Sequence, residues 1–309
     1  MRPNRIPQPT MELAWSKVPF ITPVAQWLEK KCTNVVHFDH ATPEFLEPYV
    51  SAWYLSPEQH VFEYFVSLIF LIPILKRGVR HIKEHVRGIE KRNIVQWPSN
   101  GPTRLWAIAC LLILIAQLPY KADMDSHVNN PVFILQPCHI ILTCFIISSF
   151  IATSSSWSVY LLHAASLLIW GPALAFAFPA LPNTYAEIVI FWTEHILLLL
   201  SPIFTVYNSS IEVHSNLWFQ WFPFILIVCY HWWALAPACM LSGVNVATMM
   251  IPPPVLSHIG PFYRFLQIFI CIALHFISVM IHKMLFMLFG WFHGPSFPVA
   301  VQPRKTKQQ

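Results

Sequence analysis

The sequence predicts an all-α, polytopic membrane protein, a bundle of about seven transmembrane helices. Three observations predict it. Of 309 residues, 56% are hydrophobic and only 11% charged, whereas a soluble domain carries about 25% charged residues. The apolar residues gather in runs long enough to cross a hydrocarbon core of about 30 Å, at a helical rise of about 1.5 Å per residue. Thirteen Trp and nine Tyr suit the belts where a span meets the headgroups. The same composition narrows function. The net charge of +5 is modest, and no basic stripe is interleaved with aromatics, so nucleic acid is not expected as a partner. The seven cysteines form no CxxC pair and mostly lie deep in apolar runs, which argues against a disulfide framework and against structural zinc. Only Cys32 and Cys239 could both reach the non-cytosolic side. No metal or cofactor is expected. No basic start leads into an apolar core, so no cleavable signal peptide is expected and the first helix serves as the address.

Residues 1–57 form a non-spanning, Pro-rich arm with a short helix near 24–31. It either lies near the headgroups or is a tail without a role. The transmembrane bundle covers 58–290. Helix 1, at 59–75, is short and carries Glu63 and Pro73. The stretch 76–92, KRGVRHIKEHVRGIEKR, spaces Val79, Ile82, Val86 and Ile89 as an amphipathic helix would. It reads either as a helix on an anionic cytosolic leaflet or as a solvated basic loop, within a cytosolic loop at 76–103. Further helices are expected at 104–118, 131–151, 157–178, 186–207, 217–242 and 262–288, with a cytosolic tail at 291–309. Positive charge sets the orientation. The loop after helix 1 and the C-terminal tail are basic, whereas KADMDSHVNN after helix 2 carries two Asp and one Lys. The basic segments are therefore cytosolic, the N-terminal arm lies on the opposite side, and the Asn208-Ser209-Ser210 sequon stays unglycosylated.

Candidate chemistry centres on 131–151, PVFILQPCHIILTCFIISSFI, which lacks any charged residue. Read as one continuous helix, it is kinked at Pro137, which frees the Phe133 carbonyl. Cys138 and His139 at membrane depth hint at function, although Cys is also a comfortable small hydrophobe. Helices 131–151 and 186–207 run the same way across the membrane. Cys138 and His195 fall about 10–14 Å below their helix starts, so the two can face each other. A thiol needs such a neighbour, because the thiolate is the nucleophile and a free thiol ionises near pH ~8.5. An imidazole can take that proton and return it to a leaving alkoxide. His139 shares the depth of Cys138 but points about 100° away around the helix. Glu194 adjoins His195 and points elsewhere, either orienting another group or held as a neutral, hydrogen-bonded acid. An attacked carbonyl also needs donors for its developing charge. Gln136, Tyr230, His231 and Asn245 are the polar candidates, and nothing in the sequence selects among them. For Tyr230 and His231 ordinary interhelical hydrogen bonding is the other reading.

NPVFILQPCHIILTCF at 130–145 resembles the Pro-Cys-His segment of the transmembrane protein 164 family. EIVIFWTEHILLLLSPIFTVY resembles that family's next His-bearing helix. YHWWALAPACMLSGVNVATMM, GPFYRF and IHKML resemble its last two helices, in the same order. The likeness spans about residues 130–290. Family members usually have Asn before the Pro-Cys, where this chain has Gln136. The resemblance implies acyl transfer in intracellular membranes of the endoplasmic reticulum or Golgi. A polyunsaturated chain, typically arachidonoyl, moves from a diacyl phospholipid to a lyso ether phospholipid through a cysteine thioester, without coenzyme A. The implied nucleophile is Cys138 and the implied base His195. A related family of multi-helix lipid hydrolases, the androgen-induced gene 1 type, keeps hydrolysis as an alternative. Two further classes are a receptor and a transporter. The chain has no Asp-Arg-Tyr-like or Asn-Pro-x-x-Tyr motif, few charges along its spans and no repeated halves.

Overall fold

A computed structural model describes residues 19–31, 55, 57–91, 101–122, 130–150, 156–179, 181, 184–208, 216–242 and most of 244–293. The described elements are helical: α1 (Ile21–Lys31), α2 (Pro57–Lys91), α3 (Gly101–Gln117), α4 (Pro137–Phe150), α5 (Ser156–Ser166), α6 (Trp170–Ala177), α7 (Tyr185–Asn208), α8 (Leu217–Tyr230), α9 (Ala236–Ser242) and α10 (Tyr263–His293). Tight 3-10 turns at Leu118–Lys121 and Pro131–Leu135 follow α3 and precede α4, and a π turn at His231–Leu235 joins α8 to α9. This is an all-α, polytopic membrane bundle. Among the described residues, five segments are long and apolar enough to cross a membrane: Arg104–Lys121, Tyr160–Ala177, Tyr185–Phe204, Leu217–Ser242 and Tyr263–Phe289.

The two other expected spans take different forms. Helix 1 is the first half of the 35-residue α2, which runs on without a break through the basic stretch. The sequon beyond Asn208, most of the loop after α3, the C-terminal tail, Cys32 and most of the N-terminal arm lie outside the described residues. The 131–151 span is not one helix. Gln136, with φ −56° and ψ 140°, separates the 3-10 turn from α4. Pro137 is the first residue of α4 instead of an interior residue. The cause is local, because a proline pushes the residue before it out of helical geometry and is itself tolerated at a helix start. Nor is the Phe133 carbonyl freed, for it accepts from the Gln136 N–H at 3.1 Å.

The chain forms two compact units. The first comprises Met1–Leu75, Gln117–Pro137 and Ile225–Cys271. Its apolar core joins Phe133 to Leu235, Cys239, Met240, Val244, Val246 and Met250, and a second cluster seats Ile21 and Ala25 of α1 on Val61 of α2. Irregular backbone at membrane depth must be satisfied by protein. The Tyr230 hydroxyl accordingly donates to the Leu135 carbonyl at 2.5 Å, and the Asn130 side chain accepts from the Val132 N–H at 3.0 Å. A buried charged clamp holds the loop before α10. Arg264 Nη1 donates to Glu63 Oε2 at 2.8 Å and to His60 Nδ1 at 3.1 Å, and Nη2 donates to the Met249 carbonyl. The clamp and the Tyr263 hydroxyl, 3.3 Å from the Thr248 carbonyl, hold Ala247 and Thr248 at φ 50° and 59°. Non-glycine residues rarely adopt that region, and holding one there costs about 1–3 kcal/mol.

The second unit comprises Lys76–Ala116, Cys138–Phe224 and Ile272–Gln309. Here the amphipathic face of the basic stretch is covered by protein at Ile82 and Val86, while Val79 stays exposed. His81 stacks on Trp218 with ring centroids 5.2 Å apart, and His85 meets Phe219 at 5.1 Å. Helices α5 and α6 pack on α7.

Candidate functional site

The break at Gln136 decides where the thiol sits. Cys138 and His139 are the second and third residues of α4. A helix start presents N–H groups that have no partner within the helix, together with the positive end of its dipole. The Cys138 sulfur lies beside the backbone N–H groups of Cys138 and His139. It is half-buried, whereas His139 is buried.

From α7, Glu194 points at this helix start. The Cys138 Sγ, a ring nitrogen of His139 and a carboxylate oxygen of Glu194 all lie within 4.8 Å of one another. His139 Nε2 stands 3.4 Å from Glu194 Oε2, and the Glu194 carboxylate is the side-chain partner of the Cys138 thiol. Glu194 is 2% exposed and His139 3%, so their interaction is screened far less than on a surface. Chemically, the cluster can pass a proton among sulfur, nitrogen and oxygen. Thiolate, imidazole and carboxylate are also a donor set that a divalent cation such as zinc accepts.

The expected residues fall as follows. Cys138 is in the cluster, and His195 is not a member of it. The His195 Nδ1–H donates to the Phe191 carbonyl at 2.7 Å, and its ring lies 4.2 Å from that of Phe191. That bond fixes the tautomer and leaves Nε2 as the accepting nitrogen. Gln136 is the residue at which the backbone breaks. Tyr230 is bound to the Leu135 carbonyl. His231 opens the π turn and bonds the Ile227 carbonyl at 2.7 Å. The Asn245 side-chain oxygen accepts from the Met250 N–H at 2.9 Å, within its own loop. The remaining spanning histidines are in structural contacts. His163 Nδ1 meets His282 Nε2 at 3.3 Å, and His275 Nε2 donates to the Gln220 carbonyl at 2.9 Å.

His139 and Glu194 were named from the sequence but not joined to Cys138. An angle of about 100° between neighbours on a helix set His139 aside. Yet adjacent Cα atoms are only about 3.8 Å apart, and an imidazole is long enough to close that gap toward a shared carboxylate. The available signal was Glu194 itself, an acid in mid-span, which by default asks for a named partner.

A model of the TMEM164 family matches residues 54–281. A Transmembrane protein 164 homolog from Dictyostelium discoideum is 26% identical over 218 residues, covering 65% of this chain and 74% of the homolog. No solved structure matches the chain. The family match covers most of the sequence and takes in α2 to α10 up to residue 281, including the break before α4 and the cluster it presents, so the chain belongs to the TMEM164 family.

Proposed function

We propose that this protein is a membrane-embedded phospholipid acyltransferase that works through a thioester on Cys138, without coenzyme A. The observation that carries the reading is the half-buried thiol at the start of α4, within 4.8 Å of an imidazole and a carboxylate. A nucleophile needs a proton acceptor beside it, and the acyl oxyanion needs donors that already point at it. The first-turn amides of α4 are suited to the second task. For the first, the resemblance implies His195, while His139 and Glu194 stand beside the sulfur.

The donor is a diacyl phospholipid with a polyunsaturated, arachidonoyl-like chain, and the acceptor is a lyso ether phospholipid. Both reach the thiol from the bilayer. A thioester at that depth meets little water, and exclusion of water favours transfer over hydrolysis. The membrane is that of the endoplasmic reticulum or Golgi, with the C-terminal tail cytosolic, a placement supported by the basic residues of 76–92 and of the tail. The test is acyl exchange by the purified full chain in phospholipid nanodiscs with a lyso ether acceptor. Cys138→Ala is expected to abolish exchange at normal expression. Exchange at the wild-type rate in that variant rules the reading out. Free fatty acid released equally with and without acceptor would instead point to a hydrolase.

A further inference from the structure

We propose that Cys138, His139 and Glu194 bind a zinc ion, and that the bound ion silences the thiol. The inference rests on the acyl-transfer reading for its consequence and deepens it by naming what regulates the site. Two helices supply the ligands. α4 brings the sulfur and the imidazole, and α7 brings the carboxylate. Zinc takes nitrogen at about 2.0–2.1 Å, carboxylate oxygen at about 2.0–2.2 Å and sulfur at about 2.3 Å, usually in a tetrahedron. Nitrogen and oxygen on two corners of that tetrahedron stand about 3.4 Å apart. His139 Nε2 and Glu194 Oε2 are 3.4 Å apart. That is longer than the roughly 2.7–2.9 Å of a charge-assisted hydrogen bond and fits two ligands sharing an ion. The sulfur belongs about 3.6 Å from each of them. It already lies within 4.8 Å of a nitrogen and an oxygen of the pair, so it has about an ångström to travel.

Charge and ligand type select the ion. At membrane depth an uncompensated charge is costly. A thiolate and a carboxylate carry two negative charges, an imidazole binds neutral, and a divalent cation brings the sum to zero. Magnesium and calcium take oxygen ligands, whereas sulfur and nitrogen suit zinc. His139 and Glu194 are buried and Cys138 is half-buried, so the ion enters past the cysteine. Three protein ligands leave the fourth corner to water. The exchange balances, because the cation replaces the thiol proton and any proton on the carboxyl, and these leave to the medium. The thiolate is both the metal ligand and the nucleophile. While its electron pair is given to zinc, attack on an ester carbonyl is suppressed.

The experiment uses the full chain in phospholipid nanodiscs, stripped with a chelator and reloaded with zinc or with cobalt(II), its coloured stand-in. Cobalt is expected to give a thiolate-to-metal charge-transfer band that is absent in Cys138→Ala. Zinc affinity, read by competition with a fluorescent chelator, is expected to fall about a hundredfold in His139→Gln and in Glu194→Gln. Zinc, and not magnesium, should slow alkylation of Cys138 by a membrane-permeant haloacetamide and stop acyl exchange. A chelator should restore both. A cobalt spectrum without the band, or a band that persists in Cys138→Ala, overturns the inference. So does wild-type zinc affinity in both His139→Gln and Glu194→Gln, or an alkylation rate that zinc leaves unchanged. Should Glu194→Gln give no folded protein, Cys138→Ala and His139→Gln decide. The spectrum and the affinity need no turnover, so the two readings fail separately. A chain that binds zinc on this cluster yet exchanges no acyl chains when stripped sinks the acyl-transfer reading alone. One that exchanges acyl chains through Cys138 yet shows no band sinks this inference alone.

Discussion

The Tyr230 hydroxyl donates to the Leu135 carbonyl at 2.5 Å, two residues before the proline that starts α4. It satisfies one carbonyl of a backbone that leaves regular geometry inside a span. Tyr230→Phe keeps the ring and strands that carbonyl, which costs about 1–3 kcal/mol. A lower thermal midpoint of the detergent-purified protein is expected. An unchanged midpoint would show that the break holds itself.

Gly78 lies in the second half of α2, where a Cβ would overlap the Phe222 ring. In an exposed helix, glycine to alanine gains about 1 kcal/mol. Overpacking against a buried ring costs about 1–3 kcal/mol, and Phe222 is only 4% exposed. The balance predicts that Gly78→Ala destabilises and Gly78→Leu does so more. A rise in the thermal midpoint of Gly78→Ala would place the ring elsewhere.

The Arg264–Glu63 pair is buried on both sides, at 3% and 1% side-chain exposure. Removing one partner of such a pair leaves a buried charge and costs about 3–5 kcal/mol, whereas replacing both with apolar groups is often neutral. Glu63→Leu is therefore expected to reduce the yield of monodisperse protein sharply, and Glu63→Leu/Arg264→Met to recover much of it. Comparable yields from the single and double variants would mean that the charges are not coupled.

The helical fold was legible because lipid imposes long apolar runs, and α3, α7, α8 and α10 fall where those runs do. What composition could not give was the handling of breaks. Both sides of Gln136 are largely apolar and free of charge, so the change from 3-10 turn to helix rests on the geometry before Pro137. The expected 157–178 helix divides into α5 and α6 across residues 167–169, again in apolar sequence. Conversely, the charge change at residue 76 marks no break at all, since α2 runs through it. At the site, Cys138 was legible from a reactive residue type in a charge-free span. Its neighbours were not, because the contact depends on how α7 is rotated toward α4, which apolar runs along a span do not give. Matching depth had drawn attention to His195, but depth along a helix does not say which way a side chain points around it.

The most direct measurement is the mass of the Cys138 peptide after the full chain is incubated with a polyunsaturated diacyl phospholipid and no acceptor. The account predicts an acyl adduct on that cysteine that hydroxylamine releases and that disappears when a lyso ether phospholipid is added. Transfer to the acceptor that proceeds with Cys138 unmodified throughout, and equally in Cys138→Ala, would contradict it.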